Sequence, residues 1–359
     1  MPSPNRRPRP LIAAAAAAVL MVGAGAFAAV TTEEARAAAR PTPAPAVTTT
    51  TTSTPATSTT VPVTTTTTTA PTAPTSPALV TPVIEGVGVT HATFVDASRP
   101  TEARAARPAM SSRTLATTVW YPSSTNSDTE APVAAGTYPL VVFAHGFDVD
   151  ADTYGTLLSN LAQDGYVVAA PEFPMTSSDY PGSADEGDVA NQAGDMSFVI
   201  SAMTSISSVP GAVAGHVDAT HIAVMGHSDG GVTAAAVAFN SVVRDTRINA
   251  AVIVSGAMID YPGPWFSAGG PPMLAVHGTA DPINPFTASQ QLFDTDPGPR
   301  ALLAVTGAGH LPMLTTQPYE SAVVRVVADY LDNVMHPTVE TGGILAAAAS
   351  SAGVTYTAA

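Results

Sequence analysis

Short apolar runs alternate with helical patterns through most of this chain. Unbroken apolar runs predict strands buried on both faces of a sheet, and they lie at residues 140–144, 166–170, 222–225, 250–254, 273–276 and 301–305. Residues 115–120, rich in Thr, Val and Trp, predict one more strand, which Pro122 ends. Strands that alternate with helices indicate an α/β fold with a mostly parallel sheet and helices on both faces.

Helical periodicity fills the gaps between these strands. Helices are predicted at residues 152–162, 189–203, 232–239, 286–293 and 319–331. In the first of them, Leu157, Leu158 and Leu161 share one face that would turn towards the core. Only about twenty residues separate the predicted strands at 250–254 and 273–276, so there is no room between them for a large cap domain.

Composition divides the 359 residues into four parts. Residues 1–40 begin with arginines and continue with an apolar stretch and small residues, which predicts an export signal or, if uncleaved, a membrane anchor. Residues 41–82 are rich in Thr and Pro and carry no charge, which predicts a disordered linker. Residues 83–335 suit one large α/β domain, and residues 336–359 carry no clear pattern. We therefore expect a secreted protein, associated with the cell envelope if the signal is retained.

Residue counts exclude several kinds of chemistry. There is no cysteine, and all 13 basic residues are arginine, so disulfides, thiol nucleophiles and Schiff-base lysines are excluded. A net charge of −15 at pH 7 predicts a protein that does not bind nucleic acid and that favours neutral substrates. Membrane contact is expected only through the N-terminal segment, and the sequence does not predict an oligomeric state.

A calcium loop is considered and excluded. Asp148, Asp150 and Asp152 have the spacing of such a loop. Thr153 stands where the loop requires glycine, and Ser159 stands where it requires glutamate. The sequence predicts neither a metal site nor a cofactor.

The chain is organised around the residues between His221 and Val232. Here a predicted strand runs into Gly226-His227-Ser228-Asp229-Gly230, which fits G-x-S-x-G, and a helical run follows. The order of strand, tight turn and helix is that of a nucleophile elbow. Such a turn holds the serine above the sheet at a helix N-terminus, where N–H groups favour a developing negative charge.

A serine hydroxyl needs a general base and a residue that orients the base. Asp281 and His310 each follow a predicted strand, in the chain order Ser, acid, His. The carboxyl ends of parallel strands meet at one edge of a sheet, so both side chains are expected beside Ser228. Asp260, which follows another predicted strand, is the alternative acid.

The oxyanion formed when a serine attacks a carbonyl needs two N–H donors. We predict the N–H of Asp229, directly after the nucleophile, and the N–H of Phe147, in the loop after the strand at 140–144. The residues expected to line the substrate cleft are His227, Phe173, Trp265 and Phe266. The three aromatic residues fit the hydrophobic core equally well.

Five stretches carry a family resemblance: Leu115–Pro122, His145-Gly146-Phe147, Gly226–Gly231, His277–Asp281 and Gly307–His310. Together they look like the dienelactone-hydrolase-like and platelet-activating-factor-acetylhydrolase-like branch of the α/β-hydrolases, and the cutinase and poly(ethylene terephthalate) hydrolase group is also similar. The resemblance covers about residues 85–335 and implies esterase chemistry. Polyester hydrolases usually carry Met where this chain has Asp229, and dienelactone hydrolases use a cysteine, which this chain lacks.

The sequence thus predicts an α/β-hydrolase fold and a secreted serine hydrolase of neutral carboxylic esters, bulky or polymeric esters included. Ser228 would attack, His310 would move the proton and Asp281 would fix the imidazole. A polyester hydrolase is the first alternative, and a serine peptidase of the prolyl-oligopeptidase kind is the second. A stalked surface protein with a vestigial triad is the alternative without enzyme activity.

Overall fold

The structure is a computed structural model that describes most of the chain from residue 83 onward. The described residues are 83–103, 107–126, 131–180, 183–205, 208–266, 269–335 and 353–359. The predicted export signal at 1–40 and the predicted linker at 41–82 lie outside them, as does most of the unassigned C-terminal stretch.

Among the described residues, nine strands form one sheet. In chain order they are β1 (Gly86–Asp96), β2 (Arg113–Ser123), β3 (Tyr138–Ala144), β4 (Val167–Pro171), β5 (Val217–His227), β6 (Ala250–Val254), β7 (Met273–Gly278), β8 (Arg300–Val305) and β9 (Val354–Ala358). Across the sheet they are ordered β1-β2-β4-β3-β5-β6-β7-β8-β9. The six central strands, β3 to β8 in chain order, run parallel, whereas β1, β2 and β9 pair antiparallel at the edges. The predicted α/β class and mostly parallel sheet are confirmed.

Helices cover both faces of this sheet. They are α1 (Gly155–Gln163), α2 (Val189–Thr204), α3 (Asp229–Phe239), α4 (Thr287–Thr295), α5 (Pro312–Thr315) and α6 (Tyr319–Met335). Side chains of α2, α3 and α4 enter the core on one face, and those of α1, α5 and α6 enter the core on the other. No helix within the described ranges combines the length and the apolar content that a membrane span requires.

The central strands are apolar throughout because they are buried on both faces. All seven residues of β3 are buried, with Leu140 and Val142 in one core and Val141 and Phe143 in the other. The described part of the segment between β6 and β7 contains neither helix nor strand. The described residues of this segment thus form no large cap domain.

Two edge strands lie where the sequence predicts none. β1 pairs with β2 along its whole length, from Gly86 opposite Ser123 to Asp96 opposite Arg113. β9 comes from the stretch left unassigned and pairs with β8, with Tyr356 opposite Leu303. β9 is short and only partly buried, which is typical of an edge strand.

A buried ion network ties β2 to α2. Arg113 is 1% exposed, and its guanidinium donates to both oxygens of Asp188 and both oxygens of Asp195 at 2.6 to 2.9 Å. Asp195 also accepts a hydrogen bond from Arg99, which is partly exposed. The negative charges of two buried carboxylates are thus balanced mainly by one buried guanidinium.

Replacing Arg113 with methionine is expected to lower the free energy of unfolding by about 3–5 kcal/mol, because two carboxylates lose their buried partner. Arg247→Met is the control, since Arg247 pairs with Asp245 while 40% of its own side chain is exposed, and its loss should cost less than about 1 kcal/mol. Urea unfolding of both variants measures the difference. Equal losses in the two variants would show that the buried network does not stabilise the fold in this way.

Candidate active site

Ser228 occupies the turn between β5 and α3. Its backbone has φ 58° and ψ −121°, in the left-handed region that residues other than glycine rarely adopt. The turn is held on both sides, because the Ser228 N–H donates to the Val254 carbonyl at 2.9 Å and the Val232 N–H donates to the Ser228 carbonyl at 3.0 Å. Strand, strained serine and helix therefore follow one another as in a nucleophile elbow.

The glycines on either side of the serine allow a very close approach of main-chain segments. A Cβ atom on Gly226 would lie 2.0 Å from the Gly230 carbonyl oxygen, and one on Gly230 would lie 2.0 Å from the Ala144 carbonyl oxygen. Both distances are far shorter than a van der Waals contact, so neither position accepts a side chain unless the main chain moves. This contact seats the elbow against the end of β3.

Asp281 follows the carboxyl end of β7, and its carboxylate is fully buried. Its Oδ2 accepts hydrogen bonds from His310 Nδ1 at 2.7 Å and from Ser255 Oγ at 2.9 Å. Its Oδ1 accepts from the main-chain N–H groups of Ile283 and Asn284, at 2.8 and 3.0 Å. The carboxylate is thus fixed from two directions and turns one oxygen to His310.

These contacts also set the charge of the carboxyl group. Burial alone would raise the pKa of Asp281, but hydrogen bonds from His277, His310 and the main chain outweigh burial and hold the pKa well below its usual range. His277 lies on β7, and its Nε2 is 3.2 Å from Oδ2. Asp281 is therefore ionised at neutral pH and can stabilise a protonated His310.

His310 lies in the loop after β8, and 14% of its side chain is exposed. Because Nδ1 donates to Asp281, Nε2 is the ring nitrogen left for proton transfer. The ring packs on His227, the residue before Ser228, with ring centroids 4.5 Å apart. Among the described residues the Ser228 hydroxyl makes no hydrogen bond, and a bond from nucleophile to base often closes only when substrate binds.

The two predicted oxyanion donors are free. Asp229 is the first residue of α3, and Phe147 follows the end of β3; within the described part of the chain neither N–H has a hydrogen-bond partner. Between β3 and the elbow lies Gly146, where a Cβ atom would be 3.3 Å from the Ser228 Cβ. The loop that carries Phe147 therefore passes directly beside the serine.

The side chain of Asp229 also belongs to this site. Burial, together with the charge of Glu186, raises the pKa of the Asp229 carboxyl to about 6, and the positive charge of His310 opposes that rise. One of its oxygens, Oδ2, is buried and has no hydrogen-bond partner. The residue predicted as an oxyanion donor thus adds a partly ionised carboxyl group beside the candidate base.

Three of the four residues predicted to line the cleft are buried instead. Phe173 is fully buried against His145, because the loop after β4 folds back under the end of β3. Phe266 packs on Phe239 of α3 with ring centroids 5.0 Å apart. His227 is 2% exposed and touches His310 rather than open solvent. Phe173 and Phe266 thus belong to the core, the alternative that the sequence left open, and His227 lies against His310 and not at the surface of a cleft.

Other residues of the predicted set stay at the surface. Trp265 is partly exposed, and its indole N–H donates to the Ile259 carbonyl at 3.1 Å. Phe147, predicted for its N–H, is itself 40% exposed. The alternative acid, Asp260, is exposed and makes no hydrogen bond among the described residues. Asp281, not Asp260, is the carboxylate that meets His310.

Two supporting residues escape the sequence analysis. Ser255 directly follows β6, has a φ of 46° and donates its hydroxyl to Asp281. Tyr154 is buried before α1, and its hydroxyl contacts His227 Nδ1 at 2.9 Å. The position of Ser255 directly after an apolar run was a signal that could have been used. No group of three or more metal-ligating side chains occurs in the described ranges.

Comparisons with known proteins lead to ester hydrolases. The sequence model of the chlorophyllase family matches residues 122–258, which include Ser228 and end before Asp281 and His310. Chlorophyllase-1 of Arabidopsis thaliana is 33% identical over 111 residues, 30% of this chain and 31% of that protein. Chlorophyllase type 0 of Chenopodium album is 27% identical over 139 residues, 36% of this chain and 38% of that protein. The match thus spans about a third of each curated relative.

A solved structure resembles the fold over most of its length. A ferulic acid esterase from Streptomyces cinnamoneus superposes with a TM-score of 0.55 at 23% identity, covering 71% of this chain and 91% of the esterase. At this identity the likeness concerns the fold. The superposed share of this chain is about twice the share matched by either chlorophyllase.

Proposed function

We propose that this chain, a member of the α/β-hydrolase superfamily by its fold, is an exported serine hydrolase of carboxylic esters that works through an acyl-enzyme. The observation that carries the proposal is the 2.7 Å hydrogen bond from His310 to buried Asp281, beside the strained Ser228 turn. Ser228, His310 and Asp281 follow the ends of three parallel strands, and a nucleophile, a base and an orienting acid are the groups that serine-based acyl transfer uses.

The reaction runs in two steps. His310 Nε2 takes the Ser228 proton while Oγ attacks the ester carbonyl, and the oxyanion is bound by the N–H groups of Phe147 and Asp229. Collapse of the tetrahedral intermediate breaks the ester C–O bond, and His310 returns the proton to the leaving alcohol. A water molecule, deprotonated by His310, then attacks the acyl-enzyme carbonyl. As the bond to Oγ breaks, His310 returns that proton to Ser228, and the carboxylic acid leaves.

Two features support an ester as the substrate. The similar proteins of known name are two chlorophyllases and a ferulic acid esterase. A net charge of −15 and the buried Asp229 carboxyl beside the base disfavour anionic substrates, so a neutral ester is the preferred class. An export signal at residues 1–40 would place this activity outside the cell.

A polyester is the second candidate substrate, and the lack of a cap in the described part of the segment between β6 and β7 favours it. No helix or strand covers the site within the described part of the segment between β6 and β7. The exposed residue Phe147 stands at the edge of the predicted oxyanion hole and offers apolar contact to a bulky chain. Release of soluble products from polyester film, measured beside turnover of p-nitrophenyl butyrate, separates the two substrate classes.

The proposed function is tested by covalent labelling. A fluorophosphonate probe should label the purified protein once per chain, and peptide mapping by mass spectrometry should find the adduct on Ser228. p-Nitrophenyl esters should be hydrolysed, whereas peptide p-nitroanilides should not. Labelling of another residue, or cleavage of anilides without cleavage of esters, would contradict an esterase and favour another mechanism or the peptidase alternative.

A further inference from the structure

The main chain of Gly146 is held by side chains on both sides. Its N–H donates to the Tyr154 hydroxyl at 3.1 Å. Its carbonyl oxygen lies 2.7 Å from Nδ1 of His145. Gly146 precedes Phe147, whose N–H is one of the two proposed oxyanion donors. The orientation of the peptide between these two residues is therefore decided by what holds Gly146.

The contacts of His145 determine which ring nitrogen carries the proton. The Phe173 N–H donates to Nε2 at 3.0 Å, so Nε2 is an acceptor. The carboxylate of Glu172, at 3.6 Å, is too far from Nε2 to take a proton from it. Burial lowers the pKa of His145 to about 4, which leaves the ring neutral at neutral pH. Nδ1 therefore carries the proton and donates it to the Gly146 carbonyl.

This hydrogen bond fixes where the next N–H points. In a trans peptide the carbonyl and the following N–H point in opposite directions. With the Gly146 carbonyl turned to His145, the Phe147 N–H turns away from that ring, and it has no partner among the described residues. The far side of the loop is held as well, because the Asp148 N–H donates to the Thr176 carbonyl at 2.9 Å.

Tyr154 joins this loop to the elbow. Tyr154 is 1% exposed. Its hydroxyl oxygen accepts a hydrogen bond from the Gly146 N–H, so the hydroxyl proton is donated to Nδ1 of His227 at 2.9 Å. His227 directly precedes Ser228, and its ring packs on His310. One buried hydroxyl thus connects the loop of the oxyanion hole, the nucleophile turn and the base.

We propose that His145 and Tyr154 are positioning residues that hold the Gly146–Phe147 peptide with its N–H towards Ser228, so that the oxyanion hole is formed before substrate binds. The proposal rests on the proposed ester hydrolysis. Neither side chain touches substrate. Each acts on the main chain: His145 holds this peptide through the Gly146 carbonyl, and Tyr154 holds the preceding peptide through the Gly146 N–H. Loss of either contact would leave the peptide free to turn its carbonyl into the hole.

A matched pair of variants at residue 145 separates this role from a structural one. The amide nitrogen of asparagine takes the place of Nδ1 and can still donate to the Gly146 carbonyl, whereas glutamine reaches the place of Nε2 and can only serve Phe173. His145→Gln should lower kcat for p-nitrophenyl butyrate by about 10–100-fold with little change in KM, a fraction of the cost of losing an oxyanion donor. His145→Asn should retain most of the activity.

A boronic acid measures the hole directly. Butylboronic acid forms a tetrahedral adduct on the serine, and one of its oxygens occupies the oxyanion site. In His145→Gln and in Tyr154→Phe, its inhibition constant should therefore rise by the same factor by which kcat/KM falls, because both depend on the hole. Melting temperatures recorded for each variant show whether the fold is retained.

The outcomes distinguish this proposal from the one on which it rests. If the wild-type protein hydrolyses esters but His145→Gln is more active than His145→Asn, the positioning role is overturned and the esterase assignment stands. The same conclusion follows if kcat/KM falls in the folded variants while boronic acid binding is unchanged. A wild-type protein that neither hydrolyses esters nor reacts with the fluorophosphonate would overturn both.

Discussion

Replacing Ser228 with alanine is expected to lower kcat for p-nitrophenyl butyrate by about 10⁵–10⁶-fold, the loss typical of removing a nucleophile that acts as a unit with its base. The hydroxyl makes no hydrogen bond among the described residues, so its removal leaves no buried group unpaired. Alanine meets the same backbone strain at a φ of 58° as serine does. The melting temperature should therefore stay close to that of the wild type, which makes the loss of rate a chemical effect.

Ser255→Ala is the matched control for this variant. Ser255 also has a left-handed backbone, with a φ of 46°, and also follows a parallel strand. Its hydroxyl supports Asp281 instead of facing substrate, so its loss should lower kcat by roughly tenfold or less, the scale of one supporting hydrogen bond. If the two variants lose activity equally, Ser228 is not the nucleophile, and labelling should then fail to single it out.

Topology explains why the sequence is informative about the candidate site. Once the apolar runs indicate a mostly parallel sheet, the residues after each strand must gather at one edge. The Asp281–His310 hydrogen bond is therefore expected from positions along the chain, although 28 residues separate the two. The elbow is equally predictable from the sequence, because a Cβ atom at either of its two glycines would lie only 2.0 Å from a carbonyl oxygen.

The cleft wall could not be predicted in the same way. Phe173 and Phe266 are aromatic, as many pocket residues are, but their burial depends on how irregular loops fold back on the sheet. The ring of Phe173 packs on His145, and its N–H donates to the same side chain, contacts that no local pattern encodes. Loops carry few periodic signals, so side-chain exposure there is set by tertiary contacts alone.

The edge strands were missed for a related reason. β9 has the sequence Val-Thr-Tyr-Thr-Ala, too short and too polar to stand out, and its pairing partner β8 lies about fifty residues earlier. The ion network around Arg113 is hidden similarly, since nothing in the helical pattern of α2 shows that two of its carboxylates meet one cation of β2. Long-range pairing of this kind is visible only in the folded chain.

The second large effect is expected from Asp281→Asn, which should lower kcat by about 10⁴-fold at neutral pH while keeping the shape of the side chain. The carboxylate accepts hydrogen bonds on both oxygens, and an amide can accept on one only. If the amide oxygen faces His310, the NH₂ group meets the N–H groups of Ile283 and Asn284, donor against donor.

The opposite orientation satisfies the main chain and misplaces the proton of the base. With the NH₂ group turned to His310, Nδ1 must accept, so the ring proton moves to Nε2 and the nitrogen facing Ser228 can no longer take a proton. Asp260→Asn is the control, since that exposed carboxylate meets no described partner and its loss should change kcat less than about twofold. Asp281 is ionised and buried whereas Asp260 is solvated, so the Asp281 variant should lose more activity. A larger loss of kcat in the Asp260 variant would instead assign Asp260 as the acid that orients His310.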